Sequence, residues 1–236
     1  MLFLVALISG GIASVTGFGI GSILTPFLAL SVGTPLAVAA VSIPHVLGTA
    51  ARYVLIWRHT PWNVVLRFGI ASAAGSLTGA LLQPVFGARG LTLLLGALLI
   101  LTAVASLSGV LQRRDWPPGI ALALGAISGA FGGLVGNQGG VRSGALLAFR
   151  LEPLAFIATA TATGLIVDAV RMPVYLWRVG DQMRELAPEI AIMSAGVLLG
   201  TVLGQRILTR IPRTVFTRVV AIAVGLIGSW LLVQSR

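Results

Sequence analysis

The sequence predicts an all-α polytopic membrane protein of two similar halves arranged as inverted repeats, each with a glycine-broken first segment, re-entrant or discontinuous, and three transmembrane helices. Three observations predict it. First, 57% of the 236 residues are hydrophobic and 9% charged, at a mean hydropathy of +1.01; soluble domains do not have that balance. Second, apolar runs long enough to cross a ~30 Å hydrocarbon core recur along the whole chain, where a transmembrane barrel would show short alternating segments. Third, the halves carry the same landmarks in the same order.

The apolar segments are Leu2–Val32, Pro35–Trp57, Trp62–Val85, Gly90–Leu111, Gly119–Phe149, Pro153–Trp177, Pro188–Leu208 and Thr214–Val233. The connections are too short for a soluble domain, so residues 1–236 read as one membrane domain. Its opening stretch, MLFLVALISG, lacks a basic leader and a cleavage site and reads as membrane segment. The most polar connection, the linker 112–118, separates a first repeat (1–111) from a second (119–236). SGGIASVTGFGIG (9–21) aligns with SGAFGGLVGNQGG (128–140), YVLIWR (53–58) with PVYLWR (173–178), and AGSLTGALL (74–82) with AGVLLGTVL (195–203). The offset stays between 119 and 121 residues, the mark of an internal duplication.

The first segment of each half is too long. Leu2–Val32 would extend about 46 Å as a straight helix, against about 20 residues needed to span. Gly119–Phe149 is equally long, and each has glycines at its centre. Such a segment is either a discontinuous span or a hairpin that enters and leaves by one face. Arginine placement distinguishes these, setting aside Arg52, Arg142 and Arg171 inside apolar segments. Eight single crossings divide the others seven against six. Two re-entrant segments put Arg58, Arg67, Arg113, Arg114, Arg150, Arg206, Arg210, Arg213 and Arg218 on one side, and Arg89, Arg178, Arg184 and Arg236 on the other. Nine against four is a positive-inside signal, with both termini outside the cytoplasm. Three true spans per half then invert the second half relative to the first, an arrangement common in transporters.

Irregular backbone at membrane depth has to face protein or water. A helix restarting near Ser22 offers free N–H groups and a positive dipole end, which suit an anion. The first break supplies Gly17, Gly19, Gly21 and Ser22; the second supplies Gly136, Asn137, Gln138, Gly139, Gly140 and Arg142. Small residues also suit close helix packing, which is the reading for Gly75–Gly79, Gly196–Gly204 and Gly125, Gly129 and Gly133. Arg52 and Arg171 hold similar places in the two repeats. They either bind substrate or snorkel to headgroups. Asp168, three residues before Arg171, reads as its neutralising partner and, secondarily, as a proton-coupling candidate. His45 reads as a hydrogen-bonded packing residue. Trp57, Trp62, Trp116, Trp177 and Trp230 form an interfacial belt.

The chemistry excluded is also informative. The chain has no cysteine, two histidines and six acids, which give no metal-ligand cluster, no catalytic constellation and no cofactor motif. A net charge of +10, all from arginine, would suggest nucleic acid in a soluble protein. Here it flanks apolar runs and meets lipid headgroups. The partners expected are a small anion and the bilayer, without nucleic acid; a homodimer is left open.

The two glycine-rich breaks, TGFGIGSILTPFLAL (16–30) and GGLVGNQGGVRSGALLAF (132–149), resemble those of the TauE/SafE family of sulfite exporters, over essentially the whole chain. Gly17, Gly19, Gly21 and Pro26 match the first motif; Gly136, Gly139 and Gly140 match the second, where Gln138 replaces a glycine and Ala145 a proline. The resemblance implies a multi-pass protein of the bacterial inner membrane. Its expected cargo is sulfite or a small organosulfur anion such as sulfoacetate, with carboxylate, sulfate and thiosulfate as alternatives.

Overall fold

The computed structural model describes residues 1–17, 19–109, 117–207 and 213–234. Phe18, most of the 112–118 linker with Arg113, Arg114 and Trp116, and Arg210 and Arg236 lie outside the described residues, as do the side chains of Arg206 and Arg213. All described regular structure is helical: α1 (Leu2–Thr16), α2 (Ile20–Val32), α3 (Thr34–Ile56), α4 (Trp62–Ser108), α5 (Pro118–Val135), α6 (Gly139–Leu146), α7 (Pro153–Glu185), α8 (Ala187–Ile207) and α9 (Arg213–Gln234). Four helical stretches, Thr34–His59, Trp62–Ser108, Pro153–Glu185 and Ala187–Gly204, are long and apolar enough to cross a membrane.

Local sequence explains the boundaries. Proline opens α3, α5 and α7, where its missing N–H costs nothing and its fixed φ suits the first turn. Both overlong segments are broken at their glycines. α1 ends at Gly17 (φ 79°) and α5 at Gly136 (φ 70°). These left-handed caps are open to glycine at no steric cost, and each returns its N–H to the carbonyl four residues back, Ala13 and Gly132 respectively, at 3.0 Å. The two segments expected at Trp62–Val85 and Gly90–Leu111 are the two parts of α4, which departs from helical geometry at Gly87 (φ 62°, ψ 168°). α7 runs past the expected Trp177 to Glu185, with a kink at Val179.

The small-residue stripes do pack helices. A Cβ on Gly75 or Gly79 would overlap the carbonyl of Ala126 or Ala130 on α5, and one on Gly200 would overlap that of Leu7 on α1. Residue numbers rise together across both contacts, so α4 runs parallel to α5, and α8 to α1. α3 and α7 instead cross antiparallel, through His45 with Asp168, Thr49 with Gly164, and Arg52 with Thr161. Phe68 on α4 meets both arms of the second broken segment: it lies against Gly125 before the break and stacks edge-on with Phe149 after it, at 6.1 Å.

Apolar side chains point outward along the helices, as at Val54, Ile70, Val85 and Leu226, which matches a lipid solvent. Trp57, Trp62, Trp177 and Trp230 are all exposed. Pro84 removes the N–H that would bond the Ala80 carbonyl. Arg178 replaces it, donating to the carbonyls of Ala80 and Leu81 at 2.8 and 2.9 Å, which fastens α7 to α4.

The close contacts make a stability prediction. A methyl on Gly133 would meet the Ser76 carbonyl and the Ala80 nitrogen, all backbone. Gly133→Ala therefore has to separate α4 from α5, at a cost of roughly 1–3 kcal/mol. Gly180→Ala, with nothing within 4 Å of its Cβ, is the control. Thermal melts in detergent should show a lowered midpoint for the first variant alone.

Candidate functional site

A helix that stops inside an apolar interior leaves its last carbonyls short of donors. α5 ends among buried residues, and side chains from two other helices add donors there. Arg171 Nη1 donates to the Gly132 carbonyl at 2.6 Å, Tyr175 Oη to that of Gly133 at 2.6 Å, and Gln83 Nε2 to that of Leu134 at 3.0 Å. α1 ends in the same way: Arg52 Nη1 donates to the Ala13 carbonyl at 2.5 Å. Arg52 and Arg171, 119 residues apart, thus bond carbonyls that are also 119 residues apart. Both are buried, at 3% and 2% exposure. Of the two roles open to them in the sequence, snorkelling is excluded by this burial, since each guanidinium turns inward to a helix end.

The two breaks lie against each other. Ser22, in the first turn of α2, donates to Asn137 Oδ1 at 3.0 Å. Gly21 faces the Gly136 carbonyl so closely that a Cβ would overlap it. Gln138 is held by its carbonyl, which accepts from Ser128 at 2.9 Å, while its side-chain amide lies beside Gly132 without a bonding partner. Gly19, at φ 137°, turns the chain into α2. Gly139 and Gly140 open α6, and Gly140 sits against Thr102 of α4, whose Cγ2 would lie 2.5 Å from an added Cβ.

Charge around the breaks is unbalanced. Arg171 donates through Nε to Asp168 Oδ1 at 2.8 Å, with Nη2 at 2.7 Å from the same oxygen. His45 Nδ1 lies 2.6 Å from Asp168 Oδ2. Asp168 is fully buried and engaged on both oxygens, as a neutralising pair requires. Arg52 bonds no carboxylate among the described residues; it donates to Thr161 Oγ1 at 3.1 Å and reaches the Gly17 carbonyl at 3.4 Å. Arg142 reaches that carbonyl through Nη2 at 3.5 Å, while its Nε and Nη1 have no partner. Arg52, Arg142 and Arg171 against Asp168 leave an excess of two positive charges among the described buried residues. Isolated buried charge of that kind is costly unless an anion meets it.

Sequence reasoning missed the α7 residues that complete this region. ATATATG (158–164) puts Thr159, Thr161, Thr163 and Gly164 in the interior. Gly164 makes room for Arg142, whose Nη1 would lie 3.1 Å from a Cβ there, with Thr49 Cγ2 at 3.6 Å. Thr49 and Thr163 keep buried hydroxyls without a partner. The available signal was the alternation itself, since three threonines two apart are unusual within an apolar helix. Among the described residues no cluster of three or more His, Cys, Asp or Glu could hold a metal.

A model of the Sulfite exporter TauE/SafE family matches residues 2–231. Comparison with curated proteins and with solved structures finds no match.

The ion pair predicts a stability loss with a specific rescue. Arg171→Met takes one partner from Asp168 and the side-chain cap from Gly132. Breaking a buried pair in this way costs about 3–5 kcal/mol, so the melting midpoint should fall sharply. Adding Asp168→Asn removes the stranded charge and should restore part of the loss. A single variant that melts like the parent would contradict the pairing.

Proposed function

The chain belongs to the Sulfite exporter TauE/SafE family, and from that premise we propose that it carries a small sulfur oxyanion, sulfite or an organosulfonate, by alternating access. It is a multi-pass membrane protein of a transporter family; a cytoplasmic-membrane location and an outward direction extend that reading. The anion sits where the two breaks meet, facing the half-helix N-termini at Ile20–Ser22 and Gly139–Gly140. Arg142 supplies the charged contact and Arg52 stands behind it.

One observation carries the proposal: a buried guanidinium with two unpartnered nitrogens, beside orphaned threonine hydroxyls, in a core holding two surplus positive charges. The open Nε and Nη1 of Arg142 leave charged N–H donors on the planar guanidinium free to bond oxyanion oxygens. Threonine hydroxyls and backbone N–H groups add directional bonds. Asn137, Gln138 and Ser22 border the site.

The inverted-repeat reading supplies the movement. Contact of Phe68 with both Gly125 and Phe149 supports a hairpin that returns to its own side. The parallel α1–α8 and α4–α5 contacts support a second hairpin from the opposite face, with the repeats near 1–111 and 119–236. Following the chain on this basis groups the arginines nine against four, with both termini outside. A reporter fused after Arg236 should behave as periplasmic; a cytoplasmic signal would overturn the hairpins.

The purified chain in liposomes should release labelled sulfite faster than empty vesicles, and no movement of sulfite, sulfonate or carboxylate would defeat the transport reading. Sulfite should also raise the melting midpoint, because it neutralises buried charge. Arg142→Gln removes charge-assisted bonds worth about 1.5–3 kcal/mol and should weaken that effect about 10- to 100-fold in concentration. Gly21→Ala and Gly140→Ala should weaken it too, by displacing the Gly136 carbonyl and Thr102. If all three fold and respond like the parent, the anion binds elsewhere.

A further inference from the structure

α3 and α7 meet as a ladder of three rungs, His45 with Asp168, Thr49 with Gly164, and Arg52 with Thr161. Thr49 lies four residues after His45, and Gly164 four before Asp168. The first two rungs are therefore one helical turn apart, about 5.4 Å, and the second is the one that Arg142 Nη1 enters.

Asp168 is poorly suited to carry a proton. It has no exposure, and two nitrogens of Arg171 hold one oxygen while His45 holds the other. A carboxylate held by an arginine fork accepts bonds, so His45 Nδ1 has to be the donor at 2.6 Å. That assigns the tautomer: in the neutral ring, Nε2 carries the free lone pair. Nε2 bonds to no described residue, and the side chain keeps 13% exposure. The imidazole is thus anchored on its shielded nitrogen and open on the other.

We propose that His45 Nε2 is the proton-binding site of this transporter, coupled to the anion on the neighbouring rung. The inference rests on the transport reading. Water delivers the proton to Nε2, and no other bond is made or broken. The imidazolium keeps its bond to Asp168 through Nδ1 and adds one positive charge a turn from the anion. Anion and proton therefore favour each other's binding, and by reciprocity each raises the other's affinity by one factor.

The charged and titratable groups around His45 fit this role. Asp168 bonds it from α7, where Arg171 and Tyr175 follow within two turns; Arg142 of α6 enters the neighbouring rung, and Arg52 lies two turns along α3 itself. On the other helices packed on α3, the charged residues are Glu189 and Arg206 near the ends of α8, Arg67 near the start of α4 and Arg89 beside its break at Gly87, with none on α2 or α5. Among the described residues Asp168 is the one buried acid, and Arg171 already balances it. A proton on His45 thus changes the charge of the site instead of cancelling a nearby carboxylate.

The chain has two histidines, and His59→Gln leaves His45 as the sole imidazole. Nitrogen NMR of that full-length variant in nanodiscs, histidine labelled, should show Nδ1–H with a bare Nε2 in alkaline buffer, and a proton on Nε2 after acidification. Thiosulfate, whose charge is constant over that range, should raise the proton affinity about threefold or more. An Nε2 that stays unprotonated, or a titration unmoved by thiosulfate that does stabilise the fold, would overturn the proposal. In liposomes, an inward pH gradient should drive labelled thiosulfate accumulation by the parent chain. His45→Asn keeps a donor for Asp168 but lacks the second nitrogen, and its rate–pH profile should be flat; a profile that follows the parent's would also overturn it. If no anion moves or stabilises the fold, the transport reading fails instead, and the anion-free titration still decides whether His45 takes up a proton.

Discussion

A helix that ends inside an apolar interior has to find donors for its last carbonyls, and much of this structure follows from that need. Apolar neighbours have none to offer. Glycine caps supply one N–H each, at Gly17 and Gly136. Arg52 and Arg171 supply stronger, charged donors to Ala13 and Gly132. The carbonyl ends of α1 and α5 carry the negative end of the helix dipole, so a guanidinium there is doubly favourable. Once an arginine is committed to a carbonyl its charge still needs an answer, and the two halves answer differently. Arg171 has Asp168; Arg52 has only neutral oxygens.

That difference breaks an otherwise close match between the two helix ends. The frame is matched to within a residue or two, in caps, arginines and small-residue contacts. The chemistry is not. Asp168 and Arg142 belong to the second half, and His45 to the first. The surplus charge gathers near Gly17, where Arg52 and Arg142 share one carbonyl, away from the side neutralised by Asp168.

The breaks and the helix-packing stripes were legible in the sequence because glycine has few uses in an apolar run. Gly17, Gly19 and Gly136 take backbone angles that side chains avoid, and Gly75, Gly79 and Gly200 admit neighbouring backbone. The Asp168–Arg171 pair was legible from a spacing of three. The targets of Arg52 and Arg171 were not, because a helix-end carbonyl leaves no trace in side-chain identity. Nor was the His45–Asp168 contact: it depends on the antiparallel register of two helices 123 residues apart in sequence. The threonines of α7 were visible as residues, yet their role became apparent only once Gly164 was seen to admit Arg142.

The bond from Arg178 to the Ala80 carbonyl that Pro84 leaves open has a mechanical consequence. It pins α7 to α4 beside the kink at Val179, so a tilt of the rest of α7, once its bonds to α3 and α5 are released, would turn about that end. Asp168 lies ten residues from that pivot, an arm of about 15 Å. A swing of roughly 10° would carry it about 2.6 Å, well beyond the tolerance of a hydrogen bond. A modest tilt at a proline-built fulcrum would thus open the polar ladder between α3 and α7 while the pinned end of the helix stays in place.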